Sequence, residues 1–123
     1  MSLTLDENQA IYQIQAYQPG QIQINDRILY NSVIITSAKL IENWQPQHIS
    51  ALNHSHLETI IQLRPTILLL GTGSYLQFPP VEIYGDLINH KIGVEIMDTR
   101  AACRTYNALT AENRNVIAAL IIL

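Results

Sequence analysis

Two short stretches of this 123-residue chain combine side chains and spacing from which a site could be built. Gly71-Thr72-Gly73-Ser74 closes an apolar run and offers two hydroxyls together with backbone N–H groups, at glycines that allow positive φ or a close backbone approach. Asp98-Thr99 stands directly before a helix-forming run that carries Arg100, Cys103 and Arg104. Where strand ends meet helix starts, amide N–H groups, the positive end of a helix dipole and two guanidiniums would together bind a small anion or a partner's carboxylate. Cys103, near that helix start and flanked by arginines, would have a lowered thiol pKa and act as a nucleophile. A plainer reading uses the same residues: the glycines turn the chain, Asp98 caps the helix and repels an anion, and Cys103 is a small buried hydrophobe.

Other chemistries find less to work with. His54 and His56 form His-x-His, but no further ligand follows at zinc spacing except Glu58, and His48 and His90 are isolated. A metal site needs three or four converging ligands, so no metal is expected. Gly71 to Ser74 has neither the Rossmann nor the Walker spacing, and the acid that would hold a ribose is missing; no nucleotide cofactor is expected.

The elements that must position these residues follow from periodicity. Ile11 to Tyr17, Gln21 to Ile24 and Arg27 to Thr36 read as an antiparallel meander turned at Pro19-Gly20 and Asn25-Asp26. Gln21-Ile22-Gln23-Ile24 alternates strictly, with one wet face, whereas Val33-Ile34-Ile35 is dense enough for a strand covered on both sides. A polar connector around Pro46 leads to Ser55-His56-Leu57-Glu58, a capping-box pattern that opens a helix running to Pro65. Thr66 to Leu70 is a buried strand. Pro79-Pro80 opens a helix whose apolar face is Val81, Ile83, Tyr84, Leu87 and Ile88. Gly93 to Met97 is the next strand. Asp98 caps a helix over 99–112 with Ala102, Tyr106 and Leu109 on its inner face, and Asn113 takes the left-handed position after it. Val116 to Ile122 closes the chain as a buried strand, although an apolar run of that length also suits a helix; Tyr106 is expected in the core with its hydroxyl at the rim, and Trp44 as a cover for the sheet or part of an interface.

Strands separated by helices pair in parallel, so the expected fold is α/β: a three-layer single domain over 1–123, with a mixed central sheet, a parallel βαβ core and an N-terminal antiparallel β region. That length buries about two thirds of its unfolded surface without staples. The lone cysteine excludes an intrachain disulfide, and the composition suits a reducing compartment. A net charge of −3 with seven scattered Lys and Arg argues against nucleic-acid binding. The stretch MSLTLDENQA lacks the basic and apolar regions of a signal peptide, and no apolar run approaches the ~18 residues of a membrane span. A cytoplasmic protein without a membrane span is expected.

Leu68-Leu69-Leu70-Gly71-Thr72-Gly73, followed by Gly93-Val94-Glu95-Ile96-Met97-Asp98-Thr99 and Ala101-Ala102-Cys103-Arg104-Thr105-Tyr106-Asn107, resembles the two signature blocks of a widespread domain family of unknown function. That family includes the mitochondrial respiratory complex I assembly factor 3 and an adipogenesis-associated protein. The resemblance implies a three-layer α/β domain with an added β region, frequent self-association, protein partners and no established enzyme activity. Asn113 departs from the glycine expected there, and the sequence shows no mitochondrial presequence. Together with the lack of a complete catalytic constellation, this favours a non-catalytic interaction or assembly-factor-like protein, with a homodimer among the expected states. The alternative is a small anionic ligand or a reaction at residues 71–74 and 98–104.

Overall fold

A computed structural model describes residues 8–123, so the first seven residues of the stretch read for targeting signals lie outside the described part. Strands β1 (Ile14–Gln18), β2 (Gln21–Ile24) and β3 (Arg27–Leu29) form a three-stranded antiparallel sheet. Its turns sit where the sequence places them: Gly20 has φ +93° and Asn25 φ 54°. A bulge between Ile14 and Ala16 shifts the register of β1 against β2.

The strand expected over 27–36 is two strands. β3 ends at Leu29, the chain leaves the sheet, and β4 (Val33–Ile35) enters a second sheet. Burial explains the break: Arg27 and Ile28 are exposed, whereas all three residues of β4 are buried, and a meander with one wet face cannot cover both sides of Val33-Ile34-Ile35. β5 (Leu40–Ile41) pairs with β4, and a short 3-10 turn at Ile49–Ala51 precedes helix α1 (His54–Leu63). Then β6 (Ile67–Gly71), α2 (Val81–Asn89), β7 (Gly93–Met97), α3 (Thr99–Ala111) and β8 (Val116–Leu120) alternate in order. The second sheet runs β5-β4-β8-β6-β7, with β8, β6 and β7 parallel and β4 antiparallel to both β8 and β5.

Period-two alternation divides the strands between two cores. Leu69, Val116, Ala118, Leu120, Val33 and Ile35 face Ala102, Cys103 and Tyr106 of α3 and Ile22 and Ile24 of β2. Leu68, Leu70, Ile117, Ala119 and Ile34 face Leu57 and Ile60 of α1, Leu87 of α2, and Trp44. The layers are therefore α1 and α2, the five-stranded sheet, and α3 with the three-stranded sheet, a three-layer α/β fold. Deleting a central side chain such as Leu69, fully buried, removes ~2–5 kcal/mol.

Local signals decide the helix ends. Asp98 accepts from the Ala101 amide at 2.9 Å and starts α3 as its N-cap. Asn113, at φ 60°, donates to Thr110 O while Arg114 N donates to Leu109 O, both at 3.0 Å, a Schellman closure with asparagine in the left-handed position. At α1 the cap is Asn53 rather than Ser55. The Asn53 side chain accepts from Ser55 N at 2.9 Å, and His56 Nδ1 accepts from Asn53 N at 3.1 Å, so His56 fills the place assigned to Glu58. α2 buries only Leu87 fully, because it lies over the edge strand β7; Val81 and Ile88 of its expected inner face are exposed. Tyr106 is wholly buried, hydroxyl included, and donates to Tyr12 O at 2.6 Å.

Candidate functional site

The carboxyl end of β6 and the start of α3 meet as the two sequence blocks imply, and Thr99 is the joint. Its hydroxyl, fully buried, accepts from Gly73 N at 2.8 Å and donates to Ile121 O at 2.6 Å, while Thr99 N donates to Gly73 O at 2.9 Å. Three parts of the chain are thereby tied at one oxygen. Gly71 is required by this contact, since a Cβ there would lie 2.8 Å from Thr99 Oγ1 and 2.9 Å from Leu120 Cδ2. Gly73 has φ +101°, and a Cβ on it would lie 2.7 Å from Leu123 O.

The amides of the Gly71 to Ser74 loop are spent inside the protein. Thr72 N donates to Met97 O at 3.0 Å, Gly73 N to Thr99 Oγ1, and Ser74 N to Leu123 O at 3.0 Å. The Thr72 hydroxyl donates to Tyr75 O at 2.6 Å and accepts from Gln77 N at 3.2 Å, folding the chain back after the strand. These donors hold backbone carbonyls and the Thr99 hydroxyl; they do not converge on an open anion cradle.

The remaining candidate residues face two separate hollows. Thr72 and Ser74 line one of about 230 Å³, shared with Gln47, His48, Tyr75 and Leu123. Arg100, Cys103 and Arg104 line another of about 220 Å³, against residues 14–17 of β1 and Asn107. The pairing of α3 with β1 has no local signature. Asn107 acts as a stand-in strand, donating to Ile14 O at 2.7 Å and accepting from Ile14 N at 3.1 Å. Arg100 lies over the Tyr17 ring, 5.4 Å from its centroid, and donates to Tyr17 O at 3.3 Å. Tyr17 and His48 come to the hollows from parts of the chain far from residues 71–74 and 98–104, and Asn107, although it shares α3 with Arg100 and Arg104, pairs with Ile14 at a separation of 93 residues, so no local pattern marks these three.

Cys103 is buried, and burial outweighs the pull of Arg100 and Arg104, raising its thiol from 9.0 to about 12. The expected lowering is reversed: an unsolvated thiolate costs more than two partly hydrated guanidiniums return. Burial likewise raises the Tyr17 hydroxyl, against Ser74 and Arg100. His54 and His56 do not act together, since His56 is engaged by Asn53 and, through Nε2, by Gln45 Oε1 at 3.2 Å. Among the described residues, no three His, Cys, Asp or Glu side chains are placed to hold a metal ion.

An exposed apolar segment lies directly after the Gly71 to Ser74 loop. Tyr75, Leu76 and Phe78 follow the loop with relative exposures of 75%, 51% and 67%. Its signal is a charge-free run from Gly71 to Val81 that holds large apolar residues without helical or strand periodicity.

A mixed five-stranded sheet with a glycine-lined strand end riveted to a helix start, and a small antiparallel sheet beside it, defines the class: the chain belongs to the family described as a protein of unknown function (DUF498/DUF598), whose model matches residues 14–121. The resemblance carried by the two sequence blocks is thus shown. Among individual proteins, the chain is 35% identical over 118 residues to a Francisella tularensis protein called a 13 kDa major membrane protein, covering 94% of this chain and 95% of that one. It is 31% identical over 110 residues to the Danio rerio NADH dehydrogenase [ubiquinone] 1 alpha subcomplex assembly factor 3, covering 88% of this chain and 63% of the relative. The chain therefore spans less than two thirds of that assembly factor. A crystal structure of a Bordetella parapertussis protein superposes with a TM-score of 0.86 at 33% identity, over 93% of this chain and 98% of the other. Among the described residues, no helix is long and apolar enough to cross a membrane.

Proposed function

We propose that this chain is a non-catalytic interaction domain of the assembly-factor kind, and that it docks on another protein through the apolar surface formed by Tyr75, Leu76, Phe78 and Val81. The exposure of these four side chains within seven residues carries the reading, with Val81 at 56% and Ile88, two turns further along α2, at 57%. Clusters of exposed large apolar groups mark surfaces that a partner covers, and aromatic residues are enriched where partners bind. Pro79-Pro80 stiffens the segment, which reduces the entropy lost on docking. The assembly-factor name of the Danio rerio relative points to protein contacts. A Cys103 thiol held protonated and loop amides committed to acceptors inside the protein favour binding over nucleophilic chemistry at the strand ends.

The test pairs Tyr75→Ser/Phe78→Ser with the natural chain, using a photo-crosslinking residue in place of Leu76 in both. Expected is a discrete crosslinked protein that the double variant loses while its melting temperature is unchanged. Identical crosslinks from both would overturn the reading, and light scattering separates a second copy of the chain from a different partner.

A further inference from the structure

We propose that the groove between β1 and α3 receives an acidic side chain, Asp or Glu, of the partner protein, with Arg100 and Arg104 as its ligands. This deepens the interaction reading, on which it rests, by naming the partner's chemistry. The two arginines stand one helical turn apart on α3 and are both exposed. The ion pairs among the described residues are Arg27–Glu42, His90–Asp86 and Arg114–Glu112, and none of them engages either guanidinium. Asp98, the acid near this end of α3, accepts from the Ala101 amide, and at the groove residues Cys103 and Tyr17 its charge counts for less than that of Arg100. In a chain of net charge −3, two arginines lining one groove form a local positive field of the sign an acidic partner needs.

The groove is built to hold such a group. Arg100 is fixed by the Tyr17 ring and the Tyr17 carbonyl, which reduces the ordering lost when a carboxylate arrives. Planar guanidinium is the group that pairs a carboxylate in bidentate fashion. Arg104 is exposed, and the rest of the lining mixes apolar Ile14, Ala16 and Cys103 with polar Gln15 and Asn107, which can contact the stem and the rim of an inserted side chain. At about 220 Å³ the space is below the ~300–1,000 Å³ of ordinary small-molecule pockets and suits one inserted side chain.

The test is a titration of the isotope-labelled full chain, followed by amide NMR, with an end-capped Gly-Glu-Gly-Glu-Gly peptide, its Gln counterpart, and inorganic phosphate. Expected are saturable shifts confined to residues 14–17 and 100–107 with the Glu peptide, at least tenfold weaker in Arg104→Gln and at ~1 M salt, where screening acts within roughly 3 Å. Shifts of equal size with the Gln peptide, no saturable shifts, or a response to phosphate alone would overturn the proposal, the last by making the groove a small-anion site. Arg104 is exposed, so its variant folds. The Tyr75→Ser/Phe78→Ser chain is titrated in parallel: if it keeps the peptide response while both chains give the same crosslinks, only the apolar docking reading has failed.

Discussion

Replacing Thr99 by valine keeps the shape of the side chain and removes one oxygen, which makes it a direct measure of the strand-end joint. The hydroxyl is acceptor for Gly73 N and donor to Ile121 O, both buried contacts. Valine leaves a buried N–H and a buried C=O unpaired, each at ~1–3 kcal/mol, so a loss of about 3–4 kcal/mol is expected. Thr99→Ser keeps both bonds and gives up a methyl, for roughly 0.5–1.5 kcal/mol. At the specific entropy of unfolding of a domain this size, the valine variant melts some ~10–20 °C lower. Urea denaturation with linear extrapolation reads the difference, provided the slope m is unchanged. A valine variant within ~0.5 kcal/mol of the natural chain, or a serine variant as unstable as the valine one, would refute the idea that one hydroxyl ties β6, α3 and the end of β8 together.

Other substitutions probe the same frame. Gly71→Ala pushes a methyl into Thr99 Oγ1 and Leu120 Cδ2 and is expected to cost ~1–3 kcal/mol by urea denaturation, whereas Gly85→Ala meets nothing within 4 Å and should stabilise the helix slightly. Asn53→Ala removes the α1 cap and should cost ~1 kcal/mol, with Ser55→Ala costing less; the reverse order would restore the Ser55 cap. Alkaline pH gives a signed prediction. The Cys103 thiol is raised from 9.0 to about 12 in the fold, so its contribution is complete below pH 9 and is lost as pH climbs toward 12, with a slope reaching ~1.4 kcal/mol per pH unit. Cys103→Ala should remove that part of the decline, and iodoacetamide should label Cys103 rapidly only in denaturant; fast native labelling would contradict its burial.

Residues whose environment is set by their chain neighbours are legible in the amino-acid sequence. Asp98 caps because a short acceptor precedes a helix former, Asn113 turns left-handed because asparagine tolerates that region, and β6, β7 and β8 are apolar runs of strand length between helices. Residues whose environment is set at a distance are not. Nothing near Leu29 announces that the chain changes sheets before Val33, and nothing near Asn107 announces that its amide takes the place of a strand beside Ile14. At α1 a local rule points to the wrong cap: Ser-x-x-Glu is the familiar pattern, but Asn53 is as strong an acceptor and His56 supplies the return bond. The candidate site is half legible for the same reason. Its two blocks do meet, yet which groups face solvent depends on β1 and on residues 47–48, far away in the chain.

The place of β8 bears on how the molecule is made. β8 lies between β4 and β6 and pairs with both, yet it follows both in chain order. Because residues 116–120 are made after β4 and the β6-α2-β7 unit, the edges of β4 and β6 that face each other across the sheet have no partner strand until then. Unpaired apolar edges are sites of wrong pairing, and contacts of long sequence separation form slowly. Synthesis thus includes an interval in which Val33-Ile34-Ile35 and Leu68-Leu69-Leu70 both await the same strand, and a chain stopped before residue 116 is expected to pair those two edges wrongly.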